Sequence, residues 1–360
     1  MSEHSDAFPR TARDTAGRLV LRRHADVMEA AHDPAVFSNA VSRFLQVPNG
    51  LDGSEHAMFR RMLDPFFAPD RMAVLAADLA VVARGVVAEL GAGAFDAVED
   101  LGARFAVRAQ SAWLGWPAEL EDVLLAWVAD NRAASRSGDT ARTSDVAARF
   151  DAIVRALLDA RRTAGEPADV TAELAGLRTE DGRTLTDDEI VSILRNWTGG
   201  DLSSLALCAG VVVHWLATHP EHQSVLAEAD DPGLDAAIVE VLRLDDPFVS
   251  NRRVATVDTS AGGCPVSAGE QVVLDWRAAN RDPEAMGDPD AFDPEGHAAA
   301  NLVYGAGPHV CPGRPLATLE LRLLVRALLA AGRVTLDASR PPTREEPPVA
   351  GFRTVPVRVQ

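Results

Sequence analysis

From Tyr304 to Ala317 the chain reads Tyr-Gly-Ala-Gly-Pro-His-Val-Cys-Pro-Gly-Arg-Pro-Leu-Ala, and here residue types and spacing point most directly to chemistry. A glycine-rich loop delivers one cysteine, Cys311, to the start of a long apolar helix. Unpaired N–H groups and the positive dipole end at a helix N-terminus stabilise a thiolate. Glycines let backbone pass close to a flat, bulky group. Pro312 falls where a missing N–H costs little. Taken alone, the segment also suits a structural cysteine beside a helix cap. It does not suit a cysteine protease, whose nucleophile sits in a Cys-Gly-x-Cys-Trp type of context.

Other ionisable residues fall at helical spacing. His56 and Arg60 are one turn apart, and Glu240 with Arg243 and Asp201 with Ser204 are i,i+3 pairs that share a face. Each pair alone is common surface decoration. Asp201 stands out because an acid inside a long apolar helix needs a partner or water.

These residues must be positioned by a mostly helical frame. A strand at 18–21 leads into a helix at 24–31, then a loop at 42–54. Apolar spacing such as Val74, Leu75, Leu79, Val82 and Val86 predicts helix over much of 55–135. Residues 136–143 read as a polar surface connection, and helical spacing resumes at 144–164. Thr186 with Glu189 forms a capping box that opens a helix running to about Thr218, with an interruption expected at Gly199-Gly200. A helix at 233–245, short β-runs at 252–257 and 271–276, an irregular stretch at 278–310 and a helix at 313–331 complete the pattern.

Composition bounds the function classes. At 47 % apolar the chain folds, and with only 5 % aromatics its core must be mostly aliphatic. There are 53 acids against 35 bases, all of them Arg, which argues against nucleic acid as a partner. The N-terminus lacks the pattern of a signal peptide, and no stretch reaches the ~18 uninterrupted apolar residues of a membrane span. A soluble, cytoplasmic monomer without a membrane partner is therefore expected. Cys208, Cys264 and Cys311 are too widely spaced for a disulfide framework or a Cys-x-x-Cys metal pair.

The motifs together resemble the cytochrome P450 family, from about residue 18 to the end. Tyr304, Gly305, Gly307, His309, Cys311 and Gly313 match its haem loop, with Tyr for the usual Phe. Glu240 and Arg243 match its Glu-x-x-Arg pair, and Arg253-Val254-Ala255-Thr256-Val257-Asp258 its Arg-x-Ala-x-x-Asp. Ala279–Pro283 and Asp290–Asp293 match Ala-Asn-Arg-Asp-Pro and Asp-x-Phe-Asp, and His56 with Arg60 its His-x-x-x-Arg helix. There are two departures. Residues 1–17 are a short lead-in, expected to be partly disordered, and the family's first helix is missing. In the central helix, Gly199-Gly200-Asp201-Leu202-Ser203-Ser204 replaces Ala/Gly-Gly-x-acid-Thr, so the acid comes one place early and Ser stands for Thr.

The resemblance implies a mainly α fold with small β-sheets, a triangular helical prism with a long central helix over the haem, as one domain spanning 1–360. It implies haem b with Cys311 as axial thiolate, a ligation that favours O–O cleavage. His56, Arg60, Arg253 and His309 would surround the haem propionates. Glu240 and Arg243 would brace the core, and Gly199 and Gly200 would make room for oxygen. Asp201 with Ser203 or Ser204 would relay protons. Val41, Leu45, Arg195, Phe248, Val249 and Phe352 would line a substrate pocket, with Arg195 able to meet an anionic group. The expected activity is hydroxylation or O-dealkylation of a small hydrophobic molecule with O2. Electrons would come from a separate ferredoxin and its reductase, through Arg61, Arg104, Arg108, Arg314 and Arg322. A peroxide-driven enzyme, a non-catalytic haem-binding protein and a helical protein without haem are the alternatives.

Overall fold

The computed structural model describes residues 8–91, 93–164, 169–347 and 349–360, while the side chains at 164 and 199–201 lie outside the description. The helices are α1 (His24–His32), α2 (Gly53–Leu63), α3 (Pro69–Leu90), α4 (Arg104–Leu114), α5 (Glu121–Ser137), α6 (Thr140–Ala164) and α7 (Val170–Gly176). They continue with α8 (Asp187–Thr218), α9 (Pro220–Glu228), α10 (Asp231–Leu244), α11 (Trp276–Ala279), α12 (Pro283–Met286) and α13 (Arg314–Ala331). The strands are β1 (Thr11–Arg13), β2 (Leu19–Leu21), β3 (Phe37–Ser38), β4 (Phe95–Asp96), β5 (Ser250–Ala255) and β6 (Thr259–Ala261). They end with β7 (Cys264–Val266), β8 (Gln271–Asp275), β9 (Val334–Leu336), β10 (Thr343–Arg344), β11 (Phe352–Thr354) and β12 (Pro356–Val359).

The long helix α8 starts where the sequence places it. Glu189 N–H donates to Thr186 Oγ1 at 3.2 Å, and Thr186 N–H donates back to Glu189 Oε2 at 2.7 Å. It then runs as one helix to Thr218, so the pair Gly199-Gly200 does not end it. Buried residues occur all round it, among them Ile193, Leu194, Leu202, Ala206, Val211 and Leu216, as befits a core helix. It is long and apolar enough to cross a membrane by length and composition, yet most of that stretch is buried inside the protein. Its closest neighbour is a π-helical turn, Ala97–Ala103, capped by Asp96, which accepts from Val98 N–H and Glu99 N–H. A Cβ on Gly102 would lie 3.0 Å from the backbone of Ala206, so glycine lets these two elements touch.

A second, smaller core lies between α1 and a five-stranded sheet of order β1-β2-β8-β5-β3. Leu19, Leu21, Val272 and Leu274 face α1 from one side of that sheet. Thr11–Arg13, within the expected lead-in, forms its edge strand, paired antiparallel to β2. The polar connection expected at 136–143 is shorter than that, because α5 reaches Ser137 and α6 begins at Thr140.

Candidate active site

The coil before Cys311 has little regular structure, so buried polar groups hold it in place. Arg243 and Glu240, both on α10 and both buried, meet in a two-point contact of 2.7 and 2.8 Å. The remaining Arg243 donors reach the carbonyls of Asn280, Pro289 and Ala291 at 2.9–3.0 Å. Glu240 also accepts from Asp293 N–H and lies 2.7 Å from His297 Nδ1. Asn280 Oδ1 accepts from Leu302 N–H at 2.7 Å. All five Arg243 N–H donors are thereby engaged, two on Glu240 and three on backbone carbonyls of the coil leading to the cysteine, so the guanidinium is satisfied as a buried pair requires.

The loop then turns on glycines. Gly305 and Gly307 have φ of 74° and 72°, and a Cβ on Gly307 would stand 2.2 Å from the carbonyl oxygen of Ala31. Cys311 N–H donates to Tyr304 O at 2.9 Å, and α13 begins three residues on, at Arg314. Tyr304 lies 3.1 Å from Thr318 Oγ1 through its hydroxyl, and Arg314 covers its ring. Cys311 is exposed into a cavity of about 1260 Å³ that Tyr304 and Gly313 also line. Cys208, on α8, borders the same cavity. Its backbone is internal to a helix, so it lacks the unpaired N–H groups that stabilise a thiolate at a helix start.

One end of the cavity gathers His56, Arg60, Arg253 and His309. The His56 and His309 rings lie 4.0 Å apart, centre to centre. Burial, then the neighbouring His56 and Arg253, pushes the His309 pKa down to about 4, against the pull of Asp52. Burial, then Arg60, lowers His56 as well. The Arg253 guanidinium is buried; it donates to Arg252 O at 2.8 Å, and among the described residues no carboxylate comes within salt-bridge range. Burial lowers its pKa to about 10. Arg60 is partly committed elsewhere, to Asp64 at 2.6 Å and to the carbonyls of Pro308 and Val310 at 3.0 Å, which ties α2 to the cysteine loop. Sequence reasoning missed Asp52. It accepts from Ser38 Oγ and Asn39 N–H and lies 3.1 Å from His309 Nε2, so the cationic cluster already contains one carboxylate.

The other wall comes from α8. Asn196, Ser203, Ser204 and Leu207 line the cavity, a spacing that keeps one helical face. Ser203 Oγ lies 3.5 Å from Asn131 Nδ2. Asp201, and with it the Gly199-Gly200 groove, lies outside the described residues. Val41, Phe248 and Val249 line the cavity. Three pocket expectations fail. Arg195 is one residue off the cavity face and instead pairs with Asp151 at 3.3 Å and with Leu45 O. Leu45 is 44 % exposed and points out of the cavity. Phe352 is buried against the His214 ring and the Arg344 guanidinium, and Val349 lines the cavity in its stead.

The expected Arg patch is largely neutralised. Arg61 pairs with Glu180, Arg108 with Glu89 and Glu121, and Arg322 with Asp235, at 2.5–2.9 Å, while Arg104 sits 3.7 Å from Glu89. Acids outnumber bases in this chain, so most surface Arg finds one. Arg314 is the member of the set with an aromatic partner instead.

The haem implied by the resemblance can be tested against these residues. They fit it. The cavity exceeds the ~300–1,000 Å³ of ordinary ligand pockets, enough for a flat cofactor and a substrate together. A buried guanidinium without an acid suits a propionate carboxylate. The side-chain amide of Asn39, buried at the same end, has a donor with no acceptor among the described residues.

Comparison with known proteins agrees. The family model described as "Cytochrome P450" matches residues 143–360. An erythromycin C-12 hydroxylase from Saccharopolyspora erythraea is 32 % identical over 93 % of this chain and 87 % of its own. A steroid C26-monooxygenase from Mycobacterium tuberculosis is 29 % identical over 96 % of this chain and 95 % of its own. The solved structure of the open cytochrome P450 EryK from S. erythraea superposes with a TM-score of 0.87 at 29 % identity, covering 97 % of this chain and 92 % of that one.

Proposed function

The chain belongs to the cytochrome P450 family of haem-thiolate monooxygenases, and we propose that it binds haem b through Cys311 to oxidise a small hydrophobic organic molecule, by hydroxylation or O-dealkylation. The observation that carries this reading is the convergence of Cys311, Arg253, His56 and His309 on one cavity. The haem, when bound, supplies the activation of O2. The protein's own residues do the rest. Cys311 is presented by a loop that the Glu240–Arg243 pair holds from behind. Arg253 and the Asn39 amide hold the propionates, with the neutral His56 and His309 donating where a ring N–H faces them. Val41, Leu207, Phe248 and Val249 exclude water around an apolar substrate. Ser203 and Ser204 hold protons at the α8 wall, with Asp201 as the acid that resupplies them.

Electrons come from a separate ferredoxin and its reductase. Arg314 is the cation beside the cysteine loop best placed to meet an acidic partner, and the protein works in the cytoplasm. A peroxide-driven reaction is the second reading. What favours it is the order Asp201-Leu202-Ser203-Ser204, with the acid one place early and Ser in place of Thr. Turnover with a reduced ferredoxin and O2, set beside turnover with hydrogen peroxide alone, separates the two. Product from O2 that depends on the redox pair supports the first; product from peroxide only overturns it.

A further inference from the structure

The cavity does not end at the cysteine loop. In the five-stranded sheet, Ala12 pairs with Val20, Val20 with Val273, and Val273 with Arg252. Side chains alternate along a strand, so these four share the face opposite the α1 core. All four line the cavity that contains Cys311. So do Arg18, Arg22, Ser250 and Asp275, which lie two residues away along the same strands or just beyond their ends and fall on that face. The sheet's outer face is therefore an extension of the candidate active site.

The two parts of the cavity differ in chemistry. The inner part carries the apolar Val41, Leu207, Phe248 and Val249 beside the His56, Arg60, Arg253 and His309 cluster assigned above to the propionates, while the outer wall carries Arg18, Arg22, Arg252 and Asp275. Of the outer cations, Arg18 is held by Asp14 at 2.7 Å and Arg22 stands 3.9 Å from Asp275. At 3.9 Å the Arg22–Asp275 pair is at the edge of salt-bridge range, and burial raises the Asp275 carboxyl. Arg252 is exposed, and among the described residues no acid lies within salt-bridge range of it. Its backbone is fixed, because its carbonyl accepts from the buried Arg253. In a chain with 53 acids and 35 Arg, an Arg on a cavity wall without an acid is a group left for something else.

We propose that Arg252 is a specificity-determining residue that holds the carboxylate end of an elongated amphiphilic substrate, whose hydrocarbon part runs inward along Val249 and Phe248 towards Cys311. The proposal rests on the monooxygenase reading above and names its substrate class. It assigns to Arg252 the anion-holding role that the helical spacing had suggested for Arg195. It also sets the place of oxidation, at carbons remote from the carboxylate.

The test uses the haem-loaded protein and three probes of equal chain length: dodecanoate, 1-dodecanol and dodecyltrimethylammonium. Binding is read by equilibrium dialysis and by the haem spin-state shift. Dodecanoate is expected to bind about tenfold more tightly than dodecanol, the scale of a partly exposed charge contact plus its hydrogen bonds. Arg252→Glu should remove that preference and leave dodecanol within about twofold, Arg252→Gln should fall between, and Arg195→Gln should change neither. Dodecanoate affinity unchanged in Arg252→Glu overturns the proposal. So does equal affinity for acid and alcohol, or no binding of any probe. The monooxygenase reading is judged separately, by the thiolate spectrum of the parent, which none of these outcomes alters.

Discussion

The cysteine loop and the middle of α8 border one cavity, but they are built on opposite principles. The loop is irregular backbone held by many specific contacts. Gly307 packs against the carbonyl of Ala31, Cys311 N–H bonds Tyr304 O, and the buried Glu240–Arg243 pair anchors the coil behind it. The α8 wall is regular backbone in which a side chain's role depends only on its angle around the axis. Asn196 reaches the cavity, whereas Arg195, one residue away, pairs with Asp151. Contacts that consume a whole motif make it recognisable as a string. A helix face can exchange residues singly, and at the acid and alcohol positions this sequence departs from the motif it resembles.

That contrast can be tested, starting where the effect is largest. Arg243→Ala leaves the Glu240 carboxylate buried without its cation, and should cost on the order of 3–5 kcal/mol in denaturant unfolding, with loss of haem binding. A cost below ~1 kcal/mol, within the range of an exposed pair, would remove the loop's foundation from the account. Arg253→Leu should leave the fold intact and speed haem transfer to an acceptor protein about tenfold, since one charge-assisted contact is worth roughly 1.5 kcal/mol or more. Unchanged transfer would mean that the cation serves something other than a propionate.

His309 gives a pH signature. Its folded-state pKa of about 4 lies below the ordinary 6.5, so as pH falls the unfolded chain takes up a proton first. The cofactor-free protein should therefore keep this contribution above pH 6.5 and lose it on the way down to pH 4, on the order of 1–3 kcal/mol. His309→Gln should flatten that part of the stability profile; an unchanged profile would contradict the burial argument. The smallest effect belongs to α8. Arg195→Gln should alter stability by no more than about 0.5 kcal/mol and leave substrate binding as it was, because the side chain is on the wrong face. A marked loss of binding would return Arg195 to the pocket.

Much of the cysteine end was legible in the sequence, because Tyr304, Gly305, Gly307, His309, Cys311 and Gly313 are consecutive constraints on one loop. Glu240 and Arg243 were legible as a pair, though not the three carbonyls that Arg243 binds, which lie far along the chain. Asp52 was missed because nothing local marks it; its role comes from the fold bringing α2 against the loop. Arg252 was missed for a similar reason. Period-two alternation puts it opposite Arg253, but only the register with β8 and β2 shows that its face belongs to the cavity. Leu45 and Phe352 failed because apolar character does not say which of two apolar environments a residue joins. Four of the five patch Arg lie close to acids, which a list of cations alone does not show.

The central claim is that Cys311, and not the other cavity thiol Cys208, ligates the haem iron. The reduced carbon monoxide complex reads this directly, through the displaced Soret band that thiolate ligation gives and for which the family is named. The parent protein, Cys208→Ala and Cys264→Ala should all show the thiolate position, and Cys311→Ala should lose it. A thiolate Soret band surviving in Cys311→Ala, or vanishing in Cys208→Ala while haem stays bound, would contradict the account.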